Sequence, residues 1–334
     1  KRMRAKDRSQ YKKTDSAKET HQLPEGGERG RVVEIRADII RIRTPDKTVE
    51  ARVRGALKAR AKRLKNIIAV GDFVRFEGDL ITAIEPRRTV FARSENLDRN
   101  KRQLIAANID QVIITVAAES PKFNPALVER YLIAAENGGL DPLILINKID
   151  LAKESFDGYV ETMRELGYRT LVASARTSEG IAALKKAMAD KASLFSGPSG
   201  AGKSSLINAV TGSELKTSAT SHSSGKGRHT TTATRLVPIE GGGFCLDTPG
   251  VRSFGIWELS YEDIINHFFE IKAAGLYCRY PSCRHMGEAG CIFEEGRLEE
   301  ILSEQGASVI KISDHRFRAY RALVSELDET HKRR

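Results

Sequence analysis

The sequence predicts a multidomain protein with three structural classes in succession: a small all-β barrel of OB type, an α/β domain on a mainly parallel sheet, and a mostly helical C-terminal module. Three observations carry this. Residues 30–90 hold five short apolar-rich runs, several of which alternate apolar with basic residues. Residues from about 104 to 257 alternate nearly continuous apolar runs with helical segments. Residues 258–334 combine helical patterning with a tight cluster of cysteines and a histidine. A length of 334 residues suits two or three domains. The expected boundaries are 1–29 for a polar, basic arm, 30–90 for the barrel, 91–257 for the α/β domain and 258–334 for the C-terminal module.

Composition narrows the class. The hydrophobic share of 40% is ordinary for a globular chain. The longest apolar stretches, such as Val112–Ala118, fall far short of the ~20 residues a membrane helix needs. Lys1–Lys18 is basic and polar with no apolar run after it, so no secretory leader is expected in this stretch. Four cysteines do not make a disulfide framework, so a cytoplasmic protein with no membrane partner is expected. The net charge of +11 is uneven. Residues 1–65 hold 21 Lys/Arg against 9 Asp/Glu, whereas the remaining 269 residues hold 34 against 35. That asymmetry points to a polyanion at the N-terminal end.

In the barrel region, Val32–Arg36, Ile39–Arg43, Val49–Arg54, Phe73–Phe76 and Leu80–Ile84 read as strands of a half-buried antiparallel sheet. Arg41 and Arg43 alternate with isoleucines. The connector Gly55–Lys65 carries Arg60, Lys62, Arg63 and Lys65 and no acid. A barrel with arginines on its strands is a common oligonucleotide platform, so these six residues are candidate RNA contacts. In the central region, Val112–Val116, Leu143–Ile146, Thr170–Ala173, Ala192–Phe195 and Phe244–Leu246 read as strands of a sheet covered on both faces. Cys245 lies on one of them and reads as packing. Helices are expected at Pro125–Asn137 and Ser205–Thr211, then near Tyr261–Ala274 and Asp314–Leu327.

Gly197-Pro198-Ser199-Gly200-Ala201-Gly202-Lys203-Ser204 matches G-x-x-x-x-G-K-S and opens a helix at Ser205. Glycines bring backbone N–H groups close to phosphate oxygens, and the helix N-terminus adds a favourable dipole. Lys203 supplies charge to the β- and γ-phosphates, and the Ser204 hydroxyl can ligate Mg²⁺. Asn147-Lys148-Ile149-Asp150 follows a strand, where the Asp150 carboxylate can accept the paired N–H donors of guanine; adenine has no such pair. Ser174-Ala175-Arg176 reads as a short backbone clamp on the guanine carbonyl. Asp247-Thr248-Pro249-Gly250 supplies an acid for Mg²⁺ and a Gly250 N–H to sense the γ-phosphate. Lys216–Thr232 has the Ser/Thr/Gly-rich composition of a switch, with Thr232, or Thr231 close behind, as metal ligand.

The order of these motifs is unusual. The base-reading motifs precede the phosphate loop, which is a circular permutation that leaves the sheet intact. The chain after Gly250 then runs directly into the C-terminal module. There, Cys278-x4-Cys283-x-His285-x5-Cys291 offers three thiolates and an imidazole, the donor set of a closed, structural Zn²⁺ site, one per chain. His267 and His315 show no usable partner spacing.

The permuted order, Gly227–Thr232, Asp247–Arg252, the N-terminal barrel and the Cys/His cluster together resemble the RsgA (YjeQ) family, bacterial circularly permuted GTPases that act on the small ribosomal subunit. The resemblance covers about residues 30–330. It implies a late assembly or checkpoint factor that binds GTP, GDP and the subunit's rRNA, with hydrolysis stimulated by the subunit and used for release. A monomer is expected. Val251 occupies the place where many GTPases carry a water-orienting glutamine. His229, beside the metal threonines, is the candidate for that role, and the resemblance points to the same histidine. Two other readings are a GTP-gated RNA-binding module with incidental hydrolysis and a zinc-dependent DNA regulator, although no recognition-helix pattern supports the latter.

Overall fold

The computed structural model describes residues 26–36, 39–53, 67–95, 98–212, 235–247, 259–294 and 312–332. They fall into two compact units, one drawn from Lys1–Lys122 and Ala135–Phe254, the other from Phe123–Ala134 and Gly255–Arg334.

In the first unit, strands β1 (Glu28–Arg36), β2 (Ile39–Arg43), β3 (Thr48–Val53), β4 (Phe73–Glu77) and β5 (Leu80–Ile84) close a barrel. The circuit runs β1–β2–β3–β5–β4 and back to β1, antiparallel at every step except β3–β5. Closure removes the open edges that would otherwise invite other strands. The inward positions, Val32, Ile40, Ile42, Ala51, Val74, Phe76 and Ile81, are buried and form the core. Gly30 is needed because a Cβ there would lie 2.2 Å from Cγ2 of Ile42. The period of two turns Arg41 and Arg43 away from that core. Arg41 is engaged by Glu34 at 3.0 Å and Glu50 at 3.1 Å. Arg60, Lys62, Arg63 and Lys65 lie outside the described residues.

A hairpin of β6 (Val90–Glu95) and β7 (Asp98–Ala107) follows. Its second strand begins Asp98-Arg99-Asn100-Lys101-Arg102-Gln103, which has no apolar alternation to reveal it. The parallel strands are β8 (Gln111–Ala117), β9 (Asp141–Asn147), β10 (Arg169–Val172), β11 (Ala192–Ser196) and β13 (Phe244–Asp247), ordered β10-β9-β8-β11-β13. A short β12 (Arg235–Pro238) pairs antiparallel with β13 and meets β1 at Glu34 and Arg235, so one sheet runs from the parallel strands into the barrel.

The crossovers use α1 (Pro125–Asn137), α2 (Asp157–Glu165) and α3 (Ile181–Met188), and α4 (Lys203–Thr211) follows β11. Leu184 and Met188 of α3 and Leu206, Ile207 and Val210 of α4 pack on Ile113, Leu143, Leu145, Phe195 and Cys245 of the sheet. Cys245 is a packing residue, as expected.

Where barrel and parallel strands meet, a small buried contact of Ala69 with Ala107 is flanked by polar groups. Gly71 has φ +95°, and a Cβ there would lie 1.9 Å from the carbonyl oxygen of Ala107. The buried Asn108 side chain donates to the carbonyl of Gly71 at 3.1 Å and accepts from the N–H of Arg88 at 2.8 Å. Arg31 donates to the Asn108 carbonyl at 2.7 Å, and its guanidinium lies 5.2 Å from the Phe73 ring and 5.3 Å from Phe244. At the barrel exit, Arg87 gives Nε and a terminal nitrogen to the fully buried Asp72 carboxylate at 2.6 and 2.7 Å. Arg87 also donates to the Ile67 carbonyl at 2.7 Å.

In the second unit, Ser260 starts α5 (Tyr261–His267) with a capping box: its hydroxyl accepts from the N–H of Asp263, whose carboxylate accepts the N–H of Ser260. The single helix expected over Tyr261–Ala274 is instead two, α5 and α6 (Phe269–Gly275), broken at Phe268 with φ −87° and ψ 60°. The break lets the Phe268 ring enter the core formed by Ile133, Ile264, Ile271, Tyr320, Leu323 and Val324. The last helix, α7 (Asp314–Lys332), is longer than the expected Asp314–Leu327. Among the described residues, no helix is long and apolar enough to cross a membrane.

Arg87→Ala is expected to cost about 3–5 kcal/mol in urea unfolding, because it leaves the Asp72 carboxylate buried without its cation. A loss below about 1 kcal/mol, the scale of an exposed pair, would show that the contact carries little.

Candidate nucleotide site and metal cluster

Because β8, β9, β10, β11 and β13 are parallel, their C-terminal ends share one edge of the sheet, the place where open α/β sheets bind ligands. The base-reading motif leaves β9, the Ser174–Arg176 segment leaves β10, the phosphate loop leaves β11 and Asp247 ends β13. The permuted order in sequence thus collapses onto one edge in space. Asp247 lies one residue beyond Leu246, which is in register with Leu194 of β11. His229, Thr231, Thr232 and Gly250 lie outside the described residues.

The phosphate loop has the backbone its glycines permit. Gly197, Gly200 and Gly202 have φ of +146°, +80° and +89°. At Gly197 a Cβ would lie 1.9 Å from the Thr115 carbonyl oxygen. Pro198, Ser199 and Ala201 complete the turn, and Lys203, Ser204 and Ser205 form the first turn of α4. Lys203 Nζ donates to the carbonyls of Gly197 and Pro198 at 2.8 and 2.7 Å, so the loop already wraps the ammonium that phosphate oxygens would take up.

Asn147 does more than its place in the base motif suggested. Its buried amide donates to the Ala201 carbonyl at 2.8 Å and accepts from the N–H of Ala175 at 3.2 Å. One carboxamide therefore joins the phosphate loop to the Ser174–Arg176 loop. Gly202 must be glycine here, since a Cβ would lie 2.2 Å from the Asn147 amide nitrogen. Lys148 adopts φ +61° and donates to the Ser120 carbonyl. Ile149 and Asp150 enter a short 3-10 turn, Ile149–Leu151. The Asp150 carboxylate accepts the Ser174 hydroxyl at 2.6 Å and Arg176 at 2.9 Å. The Ser174 hydrogen bond, with Arg176 assisting, holds its carboxyl below the usual range, so it is an anionic acceptor at neutral pH.

The cluster Cys278, Cys283, His285 and Cys291 belongs to the second unit, and its four ligand atoms all lie within 4.8 Å of one another. The three sulfurs stand 3.5, 3.5 and 3.6 Å from Nδ1 of His285. Zinc bonds of about 2.3 Å to sulfur and 2.0–2.1 Å to nitrogen imply a tetrahedral edge of roughly 3.5–3.6 Å, so the donor set fits that ion. Burial pushes the three thiols up and His285 down, which opposes three thiolates gathering here without a cation.

The cluster is braced by residues the sequence did not single out. Glu288 accepts the N–H groups of Arg284 and Met286 at 3.0 and 2.7 Å. From α7, Tyr320 donates to the Arg284 carbonyl and Arg321 to the His285 carbonyl, each at 2.9 Å. Gly275 leaves room for the imidazole, because a Cβ there would lie 2.6 Å from Nε2. His267, for which no partner was legible, meets Glu129 at 2.8 Å.

Asn147→Ala is expected to lower stability by about 1–3 kcal/mol, because it orphans the Ala201 carbonyl, and to weaken guanine nucleotides together with it. Calorimetry and titration on the same sample check both; unchanged nucleotide affinity would separate the bridge from binding. Metal analysis of protein purified without chelator is expected to return one metal ion per chain. Cys283→Ser should lose it and lower the melting temperature of the second unit while leaving nucleotide affinity within about twofold, the scale expected when two changes act independently. Wild-type protein without metal would overturn the assignment.

Comparison with known proteins agrees with this geometry. Residues 84–257 match the family model described as RsgA GTPase. The small ribosomal subunit biogenesis GTPase RsgA of Chlorobaculum parvum is 38% identical over 284 residues, covering 79% of this chain and 86% of that one. Its counterpart in Yersinia enterocolitica is 38% identical over 268 residues, covering 78% and 73%. The crystal structure of YjeQ from Thermotoga maritima superposes with a TM-score of 0.63 at 27% identity, over 90% of this chain and 98% of that one. YloQ, a circularly permuted GTPase, superposes with a TM-score of 0.63 at 22% identity, over 93% and 98%, which is a likeness of fold. With a site built on the permuted strand order and relatives matched over most of its length, this chain belongs to the RsgA GTPase family.

Proposed function

We propose that this protein binds the small ribosomal subunit during late assembly and hydrolyses GTP to GDP and phosphate, and that hydrolysis promotes its release. The observation that supports this most is the Asn147 bridge. It holds a phosphate loop beside a guanine-type reading loop, in a chain whose relatives are named small ribosomal subunit biogenesis GTPases.

Asp150 selects guanine, and Lys203 with the loop N–H groups holds the phosphates. Ser204, Thr232 and Asp247 serve Mg²⁺, Gly250 senses the γ-phosphate, and Cys278, Cys283, His285 and Cys291 hold one structural Zn²⁺. The Zn²⁺ supplies cross-linking rather than chemistry. The rRNA contacts are Arg41 and Arg43 on the barrel and Arg60, Lys62, Arg63 and Lys65 in the basic connector. The protein acts as a monomer in the cytoplasm, and the four modules keep the boundaries 1–29, 30–90, 91–257 and 258–334.

Val251 has no group to orient water, so His229 takes that role when the protein is bound to the subunit. The loose transition state of phosphoryl transfer asks for orientation more than for a strong base.

GTP turnover is expected to rise with small subunits and not with large subunits or plasmid DNA. His229→Ala should bind GTP and the subunit normally, yet turn over on the order of 10²–10⁴-fold more slowly when bound, by analogy with a lost acid–base group. Wild-type turnover unchanged by small subunits would overturn the proposal, and full stimulation of His229→Ala would remove that residue from the mechanism.

A further inference from the structure

The base-reading end of the nucleotide site is satisfied by the protein itself. The Ala175 N–H donates to Asn147. Both oxygens of the Asp150 carboxylate are also taken, Oδ1 by Ser174 and Oδ2 by Arg176.

The two partners of Asp150 differ. Ser174 is buried, and its oxygen accepts the N–H of Thr177 at 3.1 Å, which leaves its hydrogen for Oδ1. This bond orients the carboxylate and takes one lone pair of Oδ1, leaving the other free for an N–H of the base. The Arg176 side chain is 74% exposed, whereas that of Asp150 is only 10% exposed. Arg176 can therefore move into water at little cost, and Asp150 cannot.

Guanine approaches Asp150 with two N–H donors, the same hydrogen-bonding character that Arg176 now presents. A base and this guanidinium are rivals for one acceptor. Losing Arg176 does not threaten the charge on Asp150, because the Ser174 hydrogen bond is the largest influence holding that carboxyl ionised.

We infer that Arg176 is a built-in competitor for the guanine base. It competes with the base for Asp150, must leave for the base to bind, and so weakens GTP and GDP alike while hastening their release. The contact lies at the base, not at the γ-phosphate, so it does not discriminate between the two nucleotides. It favours exchange without a separate exchange factor. The inference rests on Asp150 reading guanine, as proposed above.

The test measures GDP affinity and release in the full chain for wild type, Arg176→Ala and Arg176→Gln. Both variants should bind GDP about two- to fivefold more tightly, the scale of an exposed ion pair, with correspondingly slower release. The advantage should shrink towards about 1 M salt, where the Debye length falls to about 3 Å. Equal or weaker GDP binding by both variants would overturn the inference and make Arg176 a bystander or a contact to the base. Tightening in Arg176→Ala but not in Arg176→Gln would also overturn it, since the side-chain stem rather than the charge would then be responsible.

Asp150→Asn separates this from the base reading. A shift of its preference towards xanthosine diphosphate supports Asp150 as the reader and leaves the Arg176 result to stand on the comparison above. Full guanine preference in Asp150→Asn overturns both.

Discussion

The nucleotide edge depends on one buried carboxamide. Asn147 reaches from the end of β9 to a carbonyl of the phosphate loop and an N–H of the loop after β10. Both partners are backbone groups that water cannot reach freely, so leaving either unmade costs more than the bond itself contributes. That asymmetry makes the bridge a constraint. The phosphate loop cannot shift without orphaning Asn147, and Gly202 must lack a side chain because the amide already fills the space a Cβ would need. Base recognition and phosphate binding are thereby held in one geometry before any nucleotide arrives.

The barrel is joined to that framework by buried polar groups set beside a small apolar contact of Ala69 with Ala107. Asn108 binds the backbone of Gly71 and Arg88, and Gly71 allows a close approach to Ala107. Arg31 adds a guanidinium between two aromatic rings. Burial pushes Arg31 down from its ordinary range, but arginine retains its charge even so. Hydrogen bonds of this kind are directional, so they set an orientation that apolar packing alone would leave loose. An outward arginine such as Arg41, already paired with Glu34 and Glu50, would have to exchange those partners for phosphate.

The second unit concentrates charge where most proteins place oil. Arg316 is fully buried and bonds Glu270 at 2.7 and 3.1 Å and Glu129 at 2.5 Å, with its guanidinium over the Phe268 ring at 4.2 Å. Burial pushes the Glu129 carboxyl up, but Arg316 and His267 outweigh it and hold the group below its usual range. Such a network adds little net stability over an apolar core, yet it penalises every arrangement that leaves one member unpaired. The Cys/His cluster follows the same logic, with Glu288, Tyr320 and Arg321 fixing the loop that carries the ligands.

Much of this was legible in the amino-acid order because the signals are local. Short apolar-rich runs, several of them alternating with basic residues, located the five barrel strands, nearly continuous apolar runs located the parallel strands, and G-x-x-x-x-G-K-S, N-K-x-D and the Cys/His spacing each carry their chemistry within a few residues. Three things were not local. The β6–β7 hairpin begins its second strand with charged and polar residues, so its pairing rather than its pattern makes it a strand. The break at Phe268 follows from burying that ring in a core assembled from distant segments. The partners of Asn147, His267 and Arg176 are chosen by the sheet and by helix packing: His267 and Glu129 are separated by 138 positions. The sequence by itself determined which groups are present and which elements bear them. Only the tertiary structure decided which buried donors and acceptors meet, because unmade bonds are costly in a low-dielectric interior and the chain's path alone brings such distant residues together.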